Sequence, residues 1–111
     1  MVQESLFHSR RFTSRVETRE GVWVDWRCAG CEDVLRVRNI SLGGLFLETH
    51  RSSAVGSTAK LEFLVQEGQI RADGLVRRVE PGRGLALKFT AVGEEDRPRL
   101  EALISRLRYS S

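Results

Sequence analysis

The 111-residue sequence predicts an all-β domain with one helix near its C-terminal end. Three observations carry that expectation. Apolar residues recur at every second position in a series of short runs, each with one face toward a core. Turn chemistry separates the runs, with no helical period between them. The period changes to that of a helix only in the final stretch.

The first run starts at Val22, where Val22, Val24 and Trp26 alternate with Trp23, Asp25 and Arg27. Leu35 and Val37 alternate with Arg36 and Arg38, and Leu45 and Leu47 with Phe46 and Glu48. Ala59, Leu61, Phe63 and Val65 alternate with Lys60 and Glu62. Ile70 to Glu80 is longer and less regular and holds Gly74, and Leu85, Leu87 and Phe89 alternate with Ala86 and Lys88. The breaks are Ala29-Gly30, Gly43-Gly44, Ser52 to Ser57, Glu67-Gly68 and Pro81-Gly82-Arg83-Gly84. Six successive strands predict an antiparallel barrel or sandwich. A barrel is favoured because closure removes exposed strand edges.

Leu100, Leu103, Ile104 and Leu107 follow the i, i+3, i+4, i+7 rule, so the last element presents one apolar stripe. Glu94, Glu95 and Asp96 suit the positive end of a helix and Arg106 and Arg108 the negative end. Pro98 belongs in a first turn, which makes Asp96 the expected N-cap. The stripe is expected to close one mouth of the barrel, with pairing to a second copy in a homodimer as the alternative.

One domain is expected at this length. No apolar run approaches the roughly 20 residues of a membrane span. The opening MVQESLFHSRR lacks a signal-peptide core, so a cytoplasmic protein without membrane insertion is expected. Net charge is +3 and the basic residues are 16 Arg against 2 Lys. Guanidinium forks onto phosphate and stacks on rings, which ammonium does poorly. Codon bias explains such a total equally well, but not where the arginines cluster. Cys28 and Cys31 form a lone CxxC, half a zinc site. A plain reduced pair, an inter-subunit zinc ligand pair and a regulatory disulfide all fit, and no metal is assigned.

Residues 1–18 read as a flexible arginine-rich arm and 19–111 as the barrel with its helix. From His8 to Arg19 the chain carries Arg10, Arg11, Arg15 and Arg19 against Glu17, a net +3 equal to that of the whole chain. In extended backbone Arg11 and Arg15 lie on one side, about 13 Å apart. They could grip two ends of one flat anionic ligand.

Two motifs now stand in order: RxxxR over Arg11-Phe12-Thr13-Ser14-Arg15, and [D/N]xSxxG over Asn39-Ile40-Ser41-Leu42-Gly43-Gly44. With Gly74 to Val79, Gly82 to Phe89 and Glu95-Asp96-Arg97, the chain resembles the PilZ domains, bacterial receptors for cyclic di-GMP, over residues 10 to about 107. The resemblance implies a six-stranded antiparallel β-barrel with a C-terminal helix. It also implies a ligand site of Arg11, Arg15, Asn39, Ser41, Gly43 and Gly44. Arginine suits phosphate oxygens, guanine edges and the purine face. Asn39 offers donor and acceptor to a purine edge, and Ser41 a hydroxyl. Gly44 is expected to lack a side chain so that backbone can meet the ligand or adopt the turn. Asn39 stands where Asp is frequent, and a loss of about 1 kcal/mol in affinity is expected for it. Arg10 adds a third guanidinium, which suits two self-stacked ligand molecules. In the free protein the arm repels itself and stays mobile, and ligand orders it onto the barrel.

No cofactor, catalytic residue or enzyme activity is expected, since no nucleophile–base pair, Walker loop or acidic metal cluster is present. An unknown downstream protein partner is implied, in motility, pili or exopolysaccharide control. The alternative is a PilZ-like adaptor that has lost the nucleotide and works by protein contacts alone. Binding to a nucleic-acid polymer is disfavoured, because aromatics are only 7% of residues and no strand interleaves them with bases.

Overall fold

The computed structural model describes residues 14–19, 21–51 and 53–109. Its strands are β1 (Val16–Glu17), β2 (Trp23–Cys28), β3 (Cys31–Ser41), β4 (Gly44–Glu48), β5 (Thr58–Leu64), β6 (Ile70–Glu80) and β7 (Gly84–Val92). One helix, α1 (Arg97–Tyr109), follows. The sheet runs β1-β3-β2-β5-β6-β7-β4, and β4 also pairs with β3. Strands β2 to β7 therefore close an antiparallel six-stranded barrel, as expected, with β1 added beside β3. Val16 and Glu17, which the sequence assigns to the arm, pair with Ile40 and Asn39.

Alternation filled the barrel as expected. Val24, Trp26, Val37, Leu45, Leu47, Leu61, Phe63, Val76, Leu85 and Leu87 are all buried in one cluster. Phe63 and Phe89 meet edge to face with ring centroids 6.3 Å apart, a preferred aromatic geometry. Ala29 and Gly30 turn β2 into β3 with φ of 54° and 80°. Those left-handed values match the twist of a two-residue hairpin. Cys28 and Cys31 stand opposite one another at its base, Cys28 buried and Cys31 exposed, both free thiols. Strand ends rather than a loop thus hold the CxxC pair.

One irregularity decides which way the second motif faces. Val37 pairs with Leu47 and Asn39 with Phe46, so Arg38 is an extra residue in β3. Val37 and Ile40 are both fully buried. Arg38 and Asn39 share the single outward place between them. Continued alternation from Leu35 and Val37 would have turned Asn39 and Ser41 inward. The bulge shifts the phase and turns both to the outer side of the strand, where Asn39 is half-buried and Ser41 is covered.

Helix α1 buries Leu100, Leu103, Ile104 and Leu107, which belong to the barrel's own core cluster. Asp96 takes the N-cap place, its carbonyl accepting from Leu100 N–H at 3.0 Å. Its buried carboxylate reaches further and accepts from Arg71 N–H at 2.9 Å and from Arg99 Nη1 at 3.0 Å. The helix start is thereby tied to β6. Glu94 and Glu95 lie in the preceding turn rather than in the helix.

At the helix's other end Arg106 forks onto Glu67, Nε to Oε2 at 2.5 Å and Nη2 to Oε1 at 3.0 Å. Both side chains are largely buried, 22% and 10% exposed. The Arg106 hydrogen bond holds the Glu67 carboxyl below its ordinary value of 4.5, against the opposing effect of burial. A carboxylate with a depressed pKa stabilises the fold fully above its ordinary value, and loses that contribution as pH falls through the depressed one. Glu67→Gln is expected to destabilise the protein by about 1–2 kcal/mol at neutral pH. The gap to the parent should narrow as pH drops below 4.5. Thermal melts of both proteins across that range check this, and a gap independent of pH would refute it.

Candidate functional site

The root of the arm and the second motif meet on the outer face of β3. Arg15 Nη1 donates to Asn39 Oδ1 at 2.7 Å, across 24 residues of sequence. Both groups are solvent-accessible. Because Asn39 accepts from Arg15 through its oxygen, its NH2 group is turned to other acceptors. Arg10 and Arg11 lie outside the described residues.

Ser41 is buried and takes part in the turn. Its Oγ accepts from Gly43 N–H at 3.2 Å and lies 3.5 Å from Gly44 O. The hydroxyl closes a local side-chain–backbone turn. Leu42 and Gly43 alone make the turn between β3 and β4.

Gly44 needs its missing side chain for a reason other than the one expected. A Cβ there would stand 2.2 Å from Leu87 O on β7. Close packing of β4 on β7 requires the glycine, and its φ is not in the left-handed range. Gly43 has room: a Cβ would meet nothing nearer than Ser41 Oγ at 3.9 Å. Similar crowding at Gly84, 2.8 Å from Phe46 Cε1, seats the outward-facing Phe46 ring beside Asn39.

Sequence reasoning missed the residues that hold this corner. Thr18 Oγ1 donates to Val37 O and to Arg38 O, the latter at 3.1 Å. Thr18 N–H also donates to Arg38 O at 3.0 Å. One threonine thus satisfies the carbonyls that the bulge turns away from the ladder. Arg36 Nη2 donates to Thr18 O at 2.9 Å and its Nη1 to Glu48 Oε2 at 3.1 Å. Arg108, from the end of α1, reaches Ser14 O at 3.4 Å. Residues 14–18 are therefore held by β3 on one side and by the helix on the other. The signal for the bulge was in the sequence: buried-type residues at 35, 37 and 40 break the period of two. Thr18 had no such signal.

An open corner with paired arginine and amide groups and satisfied backbone suits an anionic, hydrogen-bonding ligand better than a covalent step. Among the described residues no three His, Cys, Asp or Glu side chains gather as a metal site. No helix there is long and apolar enough to cross a membrane.

The structure is thus a small barrel with an appended helix and a polar corner on its outer face. The PilZ domain profile matches residues 9–106, and the chain belongs to that family. Comparison with curated protein sequences finds no significant match. Among solved structures it is similar to the PilZ domain with c-di-GMP of YcgR from Escherichia coli. The TM-score is 0.70 at 20% identity, over 88% of this chain and 91% of that one. The K. pneumonia MrkH–c-di-GMP complex gives 0.68 at 20% identity, over 84% of this chain and 49% of that one. The Bacillus subtilis inhibitor of motility, MotI/DgrA, gives 0.68 at 23% identity, over 84% and 49%. The chain thus spans about half the length of the last two. At these identities the likeness shows the fold.

Thr18→Val keeps the shape and removes the hydroxyl, taking the Thr18 donor from the Val37 carbonyl while Arg38 O keeps the backbone N–H. A loss of about 1–2 kcal/mol is expected. Gly44→Ala should cost about 1–3 kcal/mol through overpacking, while Gly43→Ala stays within about 0.5 kcal/mol. Chemical denaturation of the three variants tests this together, and equal effects of the two glycine substitutions would contradict the packing role of Gly44.

Proposed function

We propose that the chain is a receptor for cyclic di-GMP, held between Arg10, Arg11 and Arg15 on one side and Asn39, Ser41, Gly43 and Gly44 on the other. It acts in trans on a protein partner and is not an enzyme. The observation that carries this reading is the Arg15–Asn39 hydrogen bond, which draws the two motifs into one site. Family membership supports it, as do the c-di-GMP complexes of the YcgR and MrkH relatives.

Residue chemistry, with the Arg15–Asn39 bond, supports a division of roles. Arg15 is placed for a phosphate or a guanine edge. The Asn39 NH2 group, left free by the bond through Oδ1, suits guanine O6 or N7 as a donor. Ser41 and Gly44 shape the corner, and Gly43 lets the ligand approach its backbone. Arg10 and Arg11 bring the remaining cations, with Arg10 suited to a second, self-stacked ligand molecule. Neutralising the arm's charge on binding orders it against the barrel.

Calorimetric titration with cyclic di-GMP tests the reading. Binding at micromolar affinity or tighter, about −8 kcal/mol, is expected, with a stoichiometry near two. Arg11→Ala and Arg15→Ala should abolish it, and Asn39→Asp should tighten it by about 1 kcal/mol. Absence of heat at about a hundred micromolar ligand would favour an adaptor that works by protein contacts alone.

A further inference from the structure

Away from the ligand corner, the outer face of β2, β3 and β5 carries an unpartnered apolar patch. Trp23 is 44% exposed, Val34 49% and Leu64 53%. The register makes them one surface. Trp23 stands directly opposite Leu64 on β5. It also stands opposite Arg36 on β3, which makes Val34 its diagonal neighbour on the same face. Alternation with the buried Val24, Leu35 and Phe63 puts all three on the outward face, where polar residues belong, whereas core packing was the expected role for Trp23. Trp23 is also preset, since its Nε1 lies 3.0 Å from where a Cβ on Gly21 would be. The indole folds over bare backbone there instead of moving freely.

A groove of about 470 Å³ runs from this patch toward β4, lined by Trp23, Val34, Arg36, Arg38, Glu48 and Arg83 among others. Its lining carries three arginines against one glutamate. Glu48 is the groove's carboxylate, and it is already bound by Arg36. Arg83 lies 3.5 Å from Glu80, which Arg78 also holds at 2.8 Å. Arg38, the bulge residue, has no ion pair or side-chain hydrogen bond among the described residues. An anchor residue, a groove beside it and a surplus of guanidinium charge define a complementary occupant.

We propose that this face is the docking surface for the protein partner, taken as an acidic peptide segment with an apolar anchor that packs on Trp23, Val34 and Leu64. A second copy of this chain would bring the same cationic groove against itself. A nucleic acid carries a phosphate at every nucleotide and would run some past Asp25 and Glu62, which sit opposite each other in the row beside Trp23 and Leu64, whereas a peptide can set its acids at Arg38 and only its apolar anchor on the patch. The proposal rests on the reading of the chain as a receptor acting in trans. Arg36 connects the two sites, holding the Thr18 carbonyl at the arm's root and Glu48 in the groove wall.

The test uses the full isotope-labelled chain and a synthetic twelve-residue peptide of Asp and Glu around a central Leu-Phe pair. A Lys-for-acid counterpart and a dT12 oligonucleotide serve as the other probes. Saturable shifts are expected at the Trp23 indole and at the Val34 and Leu64 amides, with affinity for the acidic peptide at least tenfold above that for the basic one. Trp23→Ala should weaken peptide binding at least tenfold, and Arg38→Glu should reverse the charge preference. Trp23→Ala should melt like the parent and titrate with cyclic di-GMP like the parent, so the two readings fail separately. No saturable shift, equal response to both peptides, or a preference for the oligonucleotide overturns the proposal.

Discussion

The ligand corner depends on the extra residue in β3. The barrel wants Leu35, Val37 and Ile40 inside, and these cannot all point inward on an unbroken strand. Arg38 resolves the conflict by sharing one outward place with Asn39. A slip of one residue moves a whole set of side chains to the other face, so the bulge determines whether Asn39 meets solvent at all. A bulge leaves backbone groups outside the ladder, and an unsatisfied buried carbonyl costs about 1–3 kcal/mol. Thr18 removes that penalty with its hydroxyl and its N–H. The two-residue strand β1 is best understood as what places Thr18 there.

The signature of the second motif combines two kinds of requirement. Asn39 presents chemistry to the outside. Ser41 and Gly44 serve the chain itself, one closing the turn to Gly43, the other admitting Leu87 O from the neighbouring strand. A sequence that keeps the serine and the last glycine therefore preserves this corner's backbone whether or not it holds a ligand. The ligand-specific information lies in the long cations and the amide.

Much of the architecture was legible because period-two alternation and turn residues are local signals. Trp26 and Phe63 fell inside, Lys60 outside, and the helical stripe from Leu100 to Leu107 packed on the core. The illegible parts depend on partners distant in sequence. Glu67 and Arg106 are 39 residues apart, and neither has a local pattern that names the other. Asp96 was legible as a cap, but its grip on Arg71 N–H, 25 residues away, was not. The corner itself was half legible: the motifs marked Arg15 and Asn39, but their direct hydrogen bond and the bulge that exposes Asn39 are products of strand register. Gly44 shows the limit from the other side, since its position was recognised but the close approach of Leu87 O from β7 was not.

Coupling between the corner and the apolar face follows from how few groups separate them. Arg15 binds Asn39; three residues on, Thr18 binds the carbonyls of Val37 and Arg38; Arg36 binds the carbonyl of Thr18 and the carboxylate of Glu48. Each link but the last, Arg36 to Glu48, is a hydrogen bond in which one partner belongs to residues 15–18 or to the bulge. A ligand that draws Arg15 away from Asn39 pulls on a segment whose next anchor is the bulge itself. Arg38 leaves its carbonyl under Thr18 and its guanidinium in the groove beside Trp23. Coupling of this kind requires a physical element with two arrangements that both sites bias. The fully buried Val37 and Ile40 hold the strand on either side of the bulge, so any second arrangement would be confined to Arg38 and Asn39.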